Sequence, residues 1–85
     1  VNLARQDLRG IRFVEADMLG CNLQKSNLRG ADLSRVRLTQ CKLEGADLRD
    51  AKLDGIDLKS LDLKGVRIDM EQAVLLARSL GAKVD

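Results

Sequence analysis

Leucine or a substitute recurs at every fifth position from Leu3 to Ile68, through Leu8, Phe13, Met18, Leu23, Leu28 and onward without a break. Two residues before each of these central positions lies a second, smaller series that includes Ala16, Cys21, Ala31, Val36, Cys41, Ala46 and Ala51. The residue between the two is always Asn, Asp, Arg or Lys, and six of the seven glycines fall two residues after a central position. On a helix, this period would step successive leucines by about 140° and smear them around every face. On a flat strand, an odd period would send alternate leucines to opposite faces. The conflict disappears if the chain turns a corner in every repeat, with glycine accepting the backbone angles of the corner. The pattern therefore predicts an all-β solenoid with leucine at its axis.

The charges at the intervening polar position select the number of repeats per coil. Stacked extended segments lie about 4.8 Å apart, so like charges one coil apart repel. Three repeats per coil would stack five like-charged pairs, including the run Asp17, Asp32, Asp47 and Asp62, and five repeats would stack four. Four repeats stack none, and place six opposite pairs in register: Arg12 with Asp32, Asp32 with Lys52, Asp17 with Arg37, Arg37 with Asp57, Lys42 with Asp62 and Asp47 with Arg67. A square coil of twenty residues is the consistent solution. Each exposed pair contributes well under ~1 kcal/mol, so their joint role is register selection, while burial of each leucine contributes about 1.5–3 kcal/mol.

The triplets Ala31-Asp32-Leu33, Ala46-Asp47-Leu48 and Ala16-Asp17-Met18 resemble the A(D/N)LXX motif of the pentapeptide repeat family. The resemblance covers fourteen repeats and implies a right-handed quadrilateral β-helix over 1–68, with a capping helix and tail over 69–85. Its motif is structural, and the resemblance implies a bacterial, non-enzymatic protein-interaction, scaffold or spacer module without a cofactor.

After Ile68 the repeat stops. Asp69 with Gln72 reads as a helix N-cap with its capping-box partner, and Gly81 as a C-terminal stop. Helical spacing groups Met70, Ala73, Val74, Leu76, Ala77 and Leu80 on one broad face, with Leu75 outside it. This helix is expected to cover the open end of the last coil. The segment from Val66 to Asp69, with Gln72, Ala73, Leu76, Leu80 and Gly81, is similar to the C-terminus of the quinolone-resistance members of the family, the Qnr and MfpA types. That similarity implies a homodimer through Leu75, Leu76, Leu80 and Val84. It also makes DNA gyrase an alternative partner, reached in those proteins by an acidic, DNA-mimicking rod. Residues 1–68 carry thirteen basic and ten acidic side chains, which does not imitate DNA.

Composition narrows the chemistry further. The 85 residues contain no histidine, tryptophan, tyrosine or proline and a single aromatic, Phe13, which removes histidine catalysis and histidine metal sites. The net charge of +2 specifies no partner, and no apolar run reaches the ~20 residues of a membrane span. These features predict a cytoplasmic protein, with a domain of a secreted or secretion-associated bacterial protein as the alternative. Arg9, Arg29 and Arg49 stack one coil apart in a basic column, the candidate binding stripe for an acidic or phosphate-bearing partner, although Asp7, Asn27 and Asp47 beside it are expected to offset the charge. With no aromatics interleaved, single-stranded nucleic acid is disfavoured. Cys21 and Cys41 share one inward column and are read as reduced core residues. Gln6 and Ser26 share another, where each is expected to find a polar partner. Val1, Leu3, Val14 and Leu19 form a candidate N-terminal contact surface, read either as covered by further protein or as the exposed edge of an isolated fragment.

Overall fold

The computed structural model describes residues 2–85, so Val1 of the candidate N-terminal surface lies outside the described residues. The chain winds into a rod of 38 × 22 × 19 Å. Parallel bridges join Asn2 to Asn22, Asp7 to Asn27, Arg12 to Asp32 and Asp17 to Arg37, and the next coil repeats the offset from Asn22 to Lys42 onward. The constant spacing of twenty residues is the four-repeat coil that the charge pattern predicts. Each side contributes one bridging residue only. The corners occupy two of every five residues, which leaves no room for a continuous strand.

The corners are β-turns closed by a bond from the residue three positions on, as from Ala16 N–H to the Phe13 carbonyl at 2.8 Å and from Ala31 N–H to the Leu28 carbonyl at 3.0 Å. The third turn residue has positive φ in twelve repeats, six with glycine and six with Arg5, Glu15, Lys25, Arg35, Gln40 or Asp50. Positive φ at that one place marks a type II turn. The Asp or Asn at the polar position supports the corner directly. In eight repeats its Oδ1 accepts the N–H of the residue two positions on, as Asn22 does from Gln24 at 3.0 Å and Asp47 from Arg49 at 3.1 Å.

The central residues fill the axis. Leu23, Leu28, Leu33, Leu43 and Leu48 are fully buried, with Ala31, Val36, Ala46 and Cys21 between them in the smaller inward position. Ser26, buried in that position, satisfies its hydroxyl by donating to the Leu23 carbonyl at 2.7 Å, whereas Gln6 of the same column is exposed in the first coil. Leu3 packs against the core, Val14 is half-buried, and Leu19 and Ile11 are exposed.

The helix α1 (Met70–Ser79) closes the other end. Asp69 Oδ1 accepts from Gln72 N–H at 2.9 Å while Gln72 Oε1 accepts from Asp69 N–H at 3.1 Å, the reciprocal capping box. At the C-terminus, Ala82 N–H donates to the Ala77 carbonyl and Gly81 N–H to Arg78, with Gly81 at φ +89°, which makes a Schellman stop. The face toward the coil is narrower than the apolar pattern suggests. Gln72 is the buried residue of α1 and Leu76 packs on the core, while Met70 and Leu80 are exposed. The open end of a coil presents unpaired carbonyls, and a polar amide meets them better than methionine or leucine does.

Candidate functional site

Because the polar position faces outward on every side, the surface is a grid of charged side chains held by the corners. The arginine column illustrates what this does. Arg9 Nε and Nη2 donate to Asp7 at 2.9 and 2.8 Å, and Arg49 Nε and Nη2 donate to Asp47 at 2.9 and 2.7 Å. Both are two-pronged pairs between residues of one corner, so each aspartate accepts the turn N–H and the guanidinium of the same arginine. Arg29 has Asn27 in place of an aspartate and reaches Asp50 at 3.6 Å. All three arginines thus face carboxylates.

The electrostatics follow this geometry. The Arg49 guanidinium holds the Asp47 carboxyl down to about 2. Hydrogen bonds from Arg9 lower Asp7, and those from the Ser34 hydroxyl and N–H lower Asp32. Of the six opposite pairs predicted along the polar columns, four are bridged neighbours, and Arg37 and Asp17 form an ion pair at 4.0 Å. A further inter-coil pair joins Arg35 to Glu15 at 2.9 Å, at the corner position. The sequence pattern could have found this one, because positions 15 and 35 are also one coil apart.

A polar cluster at the last coil was legible only in part. Gln72 Nε2 donates to the carbonyls of Leu48 and Ala51, the latter at 2.9 Å, and Asp69 Oδ2 accepts the Asp50 N–H at 2.8 Å. The carboxyl of Asp69 is lowered by the N–H groups of Gln72 and Asp50. The capping box was readable from spacing, but its second task, joining helix to coil, depends on where α1 lands.

Cys21 and Cys41 are free thiols, one buried and one half-buried. Cys41 Sγ donates to the Met18 carbonyl at 2.8 Å, and burial pushes its thiol above the ordinary range. Among the described residues, no group of three or more Cys, Asp or Glu is placed to hold a metal ion, and no helix is long and apolar enough to cross a membrane. At the C-terminal end, Leu75, Leu80 and Val84 are exposed together with Met70, whereas Leu76 faces the core.

A square coil built by five-residue sides, with Asp or Asn holding eight of the corners, defines a repeat protein whose recurring chemistry is its own scaffold. The chain belongs to the family described as pentapeptide repeats, matching eight copies over residues 1–35 and 31–69. No curated protein sequence matches it significantly. Among solved structures it is similar to QnrB1, described as a plasmid-mediated fluoroquinolone resistance protein. A trypsin-treated variant of QnrB1 superposes with a TM-score of 0.71 at 28% identity, covering 99% of this chain and 42% of that one. Full-length QnrB1 gives 0.67 at 25% identity, covering 95% and 43%. The chain therefore spans less than half the length of QnrB1. The family and this likeness place the solenoid in the right-handed β-helix class.

Proposed function

We propose that the chain is a rigid, non-catalytic protein-interaction module of a bacterial pentapeptide repeat protein, dimerising through its C-terminal helix. The observation that carries this reading is the set of exposed apolar side chains on α1 and the tail at one end of the rod, with Met70 82% and Leu80 66% exposed and Leu75 and Val84 exposed as well. The sides of the rod are charged, and their arginine column is compensated by Asp7, Asp47 and Asp50, so the apolar end is the surface with most to gain from burial. Light scattering after size exclusion tests it. The wild type is expected to be a dimer and Leu80→Asp a monomer, and a monomeric wild type overturns the reading.

The likeness to QnrB1 supports a second reading, in which the module belongs to a topoisomerase-binding protein of the quinolone-resistance type and its partner is DNA gyrase. A gyrase supercoiling assay with and without fluoroquinolone separates the two, since a scaffold for other partners leaves supercoiling unchanged. The third reading, an acidic or nucleic-acid ligand on Arg9, Arg29 and Arg49, requires the ligand to displace carboxylates already in place.

A further inference from the structure

Among the described residues, the stacking of coils is continuous except at one place. Along 36–45 the preceding coil is fully bonded: Met18 N–H donates to Arg37, Gly20 to Thr39, Leu23 to Lys42 and Lys25 to Glu44, at 2.8–3.1 Å. One coil further on, the corresponding bonds from Leu38, Gln40, Leu43 and Gly45 to residues 57, 59, 62 and 64 are absent among the described residues, as are the return bonds from Asp57 and Asp62. The bridges Arg37 to Asp57 and Lys42 to Asp62 are missing with them. Bonding resumes on either side, from Leu33 N–H to the Lys52 carbonyl and from Leu48 N–H to Arg67. Two half-open grooves run along this stretch, one of ≈ 200 Å³ lined by Arg37, Thr39 and Asp57 and one of ≈ 130 Å³ lined by Lys42 and Asp62, although a bonded side at Arg5, Lys25 and Glu44 carries a groove as well.

The parted segment nonetheless keeps the form of a coil. Its corners at Gly55 and Gly65 have φ +75° and +72°, and the turn bonds Ile56 to Leu53, Leu61 to Leu58 and Val66 to Leu63 are made. One corner is altered: at Leu58–Ser60 the chain makes a 3-10 turn, Ser60 lacks the positive φ found at Gly20 and Gln40 above it, and Asp57 makes no side-chain cap. Asp57 and Asp62 carry the charges that complement Arg37 and Lys42, a pairing that the parted form leaves unmade. The segment is a half-coil without its inter-coil bonds, and its Gly65 corner still lies against the coil above, where an added Cβ would sit 3.5 Å from the Gly45 backbone nitrogen.

We propose that residues 56–65 are a strap with a second, zipped position, in which Asp57 and Asp62 complete the ladder with Arg37 and Lys42. In the parted position the backbone groups along 36–45 lack their inter-coil partners, although Leu38 and Leu43 themselves stay buried. Because α1 packs against the 3-10 turn, zipping moves the support of the helix, so strap and C-terminal end are coupled. Left-handed geometry at residue 60 is the step that serine resists and glycine accepts.

Amide hydrogen exchange followed by NMR tests the strap on the intact chain. In the wild type, the amides of Leu38, Gln40, Leu43 and Gly45 are expected to exchange about tenfold or more faster than their bonded counterparts Met18, Gly20, Leu23 and Lys25. Ser60→Gly is expected to slow the first four toward the second four, whose own rates report that the variant is folded. Equal protection of both sets in the wild type overturns the parted form, and four amides that stay fast in Ser60→Gly overturn the zipped one. Independently, microsecond-to-millisecond line broadening at Leu38 and Leu43 is expected in the wild type and abolished by combining Asp57→Lys with Asp62→Lys. Broadening absent from the wild type, or unchanged in that variant, also overturns the proposal.

Discussion

The side-chain amide of Gln72 donates to the Ala51 carbonyl at 2.9 Å, in the place where the backbone N–H of a further coil would otherwise bond. In the regular coils that role falls to the residue 21 positions later, as from Lys52 N–H to the Ala31 carbonyl at 2.9 Å, and 72 is 21 beyond 51. A helix has no outward N–H to offer there, so the side chain supplies it. Gln72→Ala leaves the Leu48 and Ala51 carbonyls without this donor and breaks the capping box. It is expected to lower stability by about 1–3 kcal/mol in urea unfolding, while Glu71→Ala on the exposed face changes it by less than about 0.5.

Acid unfolding is expected to begin at the corners. The carboxyls of Asp7, Asp32, Asp47 and Asp69 are all held below their ordinary value by hydrogen bonds, Asp47 at about 2. A lowered folded value means that the stabilisation is complete above the unfolded value of 3.8 and is lost as pH falls through the folded one. Stability should therefore be level from neutral pH to about 5 and fall between about 4 and 2. Urea midpoints measured across that range check this, and Asp47→Asn should make the decline shallower.

Two glycines with nearly the same backbone separate strain from space. Gly30 and Gly55 have φ +70° and +75°, but a Cβ at Gly30 meets nothing within 4 Å and one at Gly55 lies 2.6 Å from Arg35 Cγ. Gly30→Ala pays only for left-handed backbone, about 1–2 kcal/mol. Gly55→Ala adds displacement of the Arg35 side chain, and with it the ion pair to Glu15. Thermal unfolding is expected to show the larger loss for Gly55→Ala, and an Arg35→Ala background should remove most of the difference.

Charge compensation in the arginine column can be released without disturbing its corners. Asn27 already accepts the Arg29 N–H at 3.2 Å, which shows that an amide holds the turn as an aspartate does. Asp7→Asn combined with Asp47→Asn therefore keeps the fold and frees two guanidinium groups. Heparin retention should rise clearly above that of the wild type and fall steeply with salt. Retention unchanged by the pair of substitutions would show that the column is not what limits polyanion binding.

The sequence carried the period, and with it the coil, because each five-residue unit repeats one solution: leucine in, small residue in, polar residue out. The coil size was legible because opposite charges twenty residues apart meet across a fixed spacing, as Arg12 and Asp32 do. What the charge pattern left unread was a second task of the polar position. Read as charge alone, it hides that Asp and Asn bond to the corner N–H, a constraint that acts within one repeat rather than between coils. Six corners at non-glycine residues were likewise invisible, since Gln40 and Asp50 adopt positive φ only because the neighbouring sides hold them there.

The sequence by itself thus determined the repeat, its register and the capping box at Asp69 and Gln72, all of which depend on short spacings along the chain. Tertiary structure alone decided where α1 lands, that Gln72 rather than Met70 or Leu80 is buried, and that Arg29 turns to Asp50 instead of its own corner. It also decided that residues 56–65 part from the coil although they carry its full pattern. The physical reason is the end of the rod. Inside, every coil is held from both sides and local pattern and packing agree. At the last coil one side is missing, and the balance among a serine corner, a helix and two unmade charge pairs is settled by how they pack.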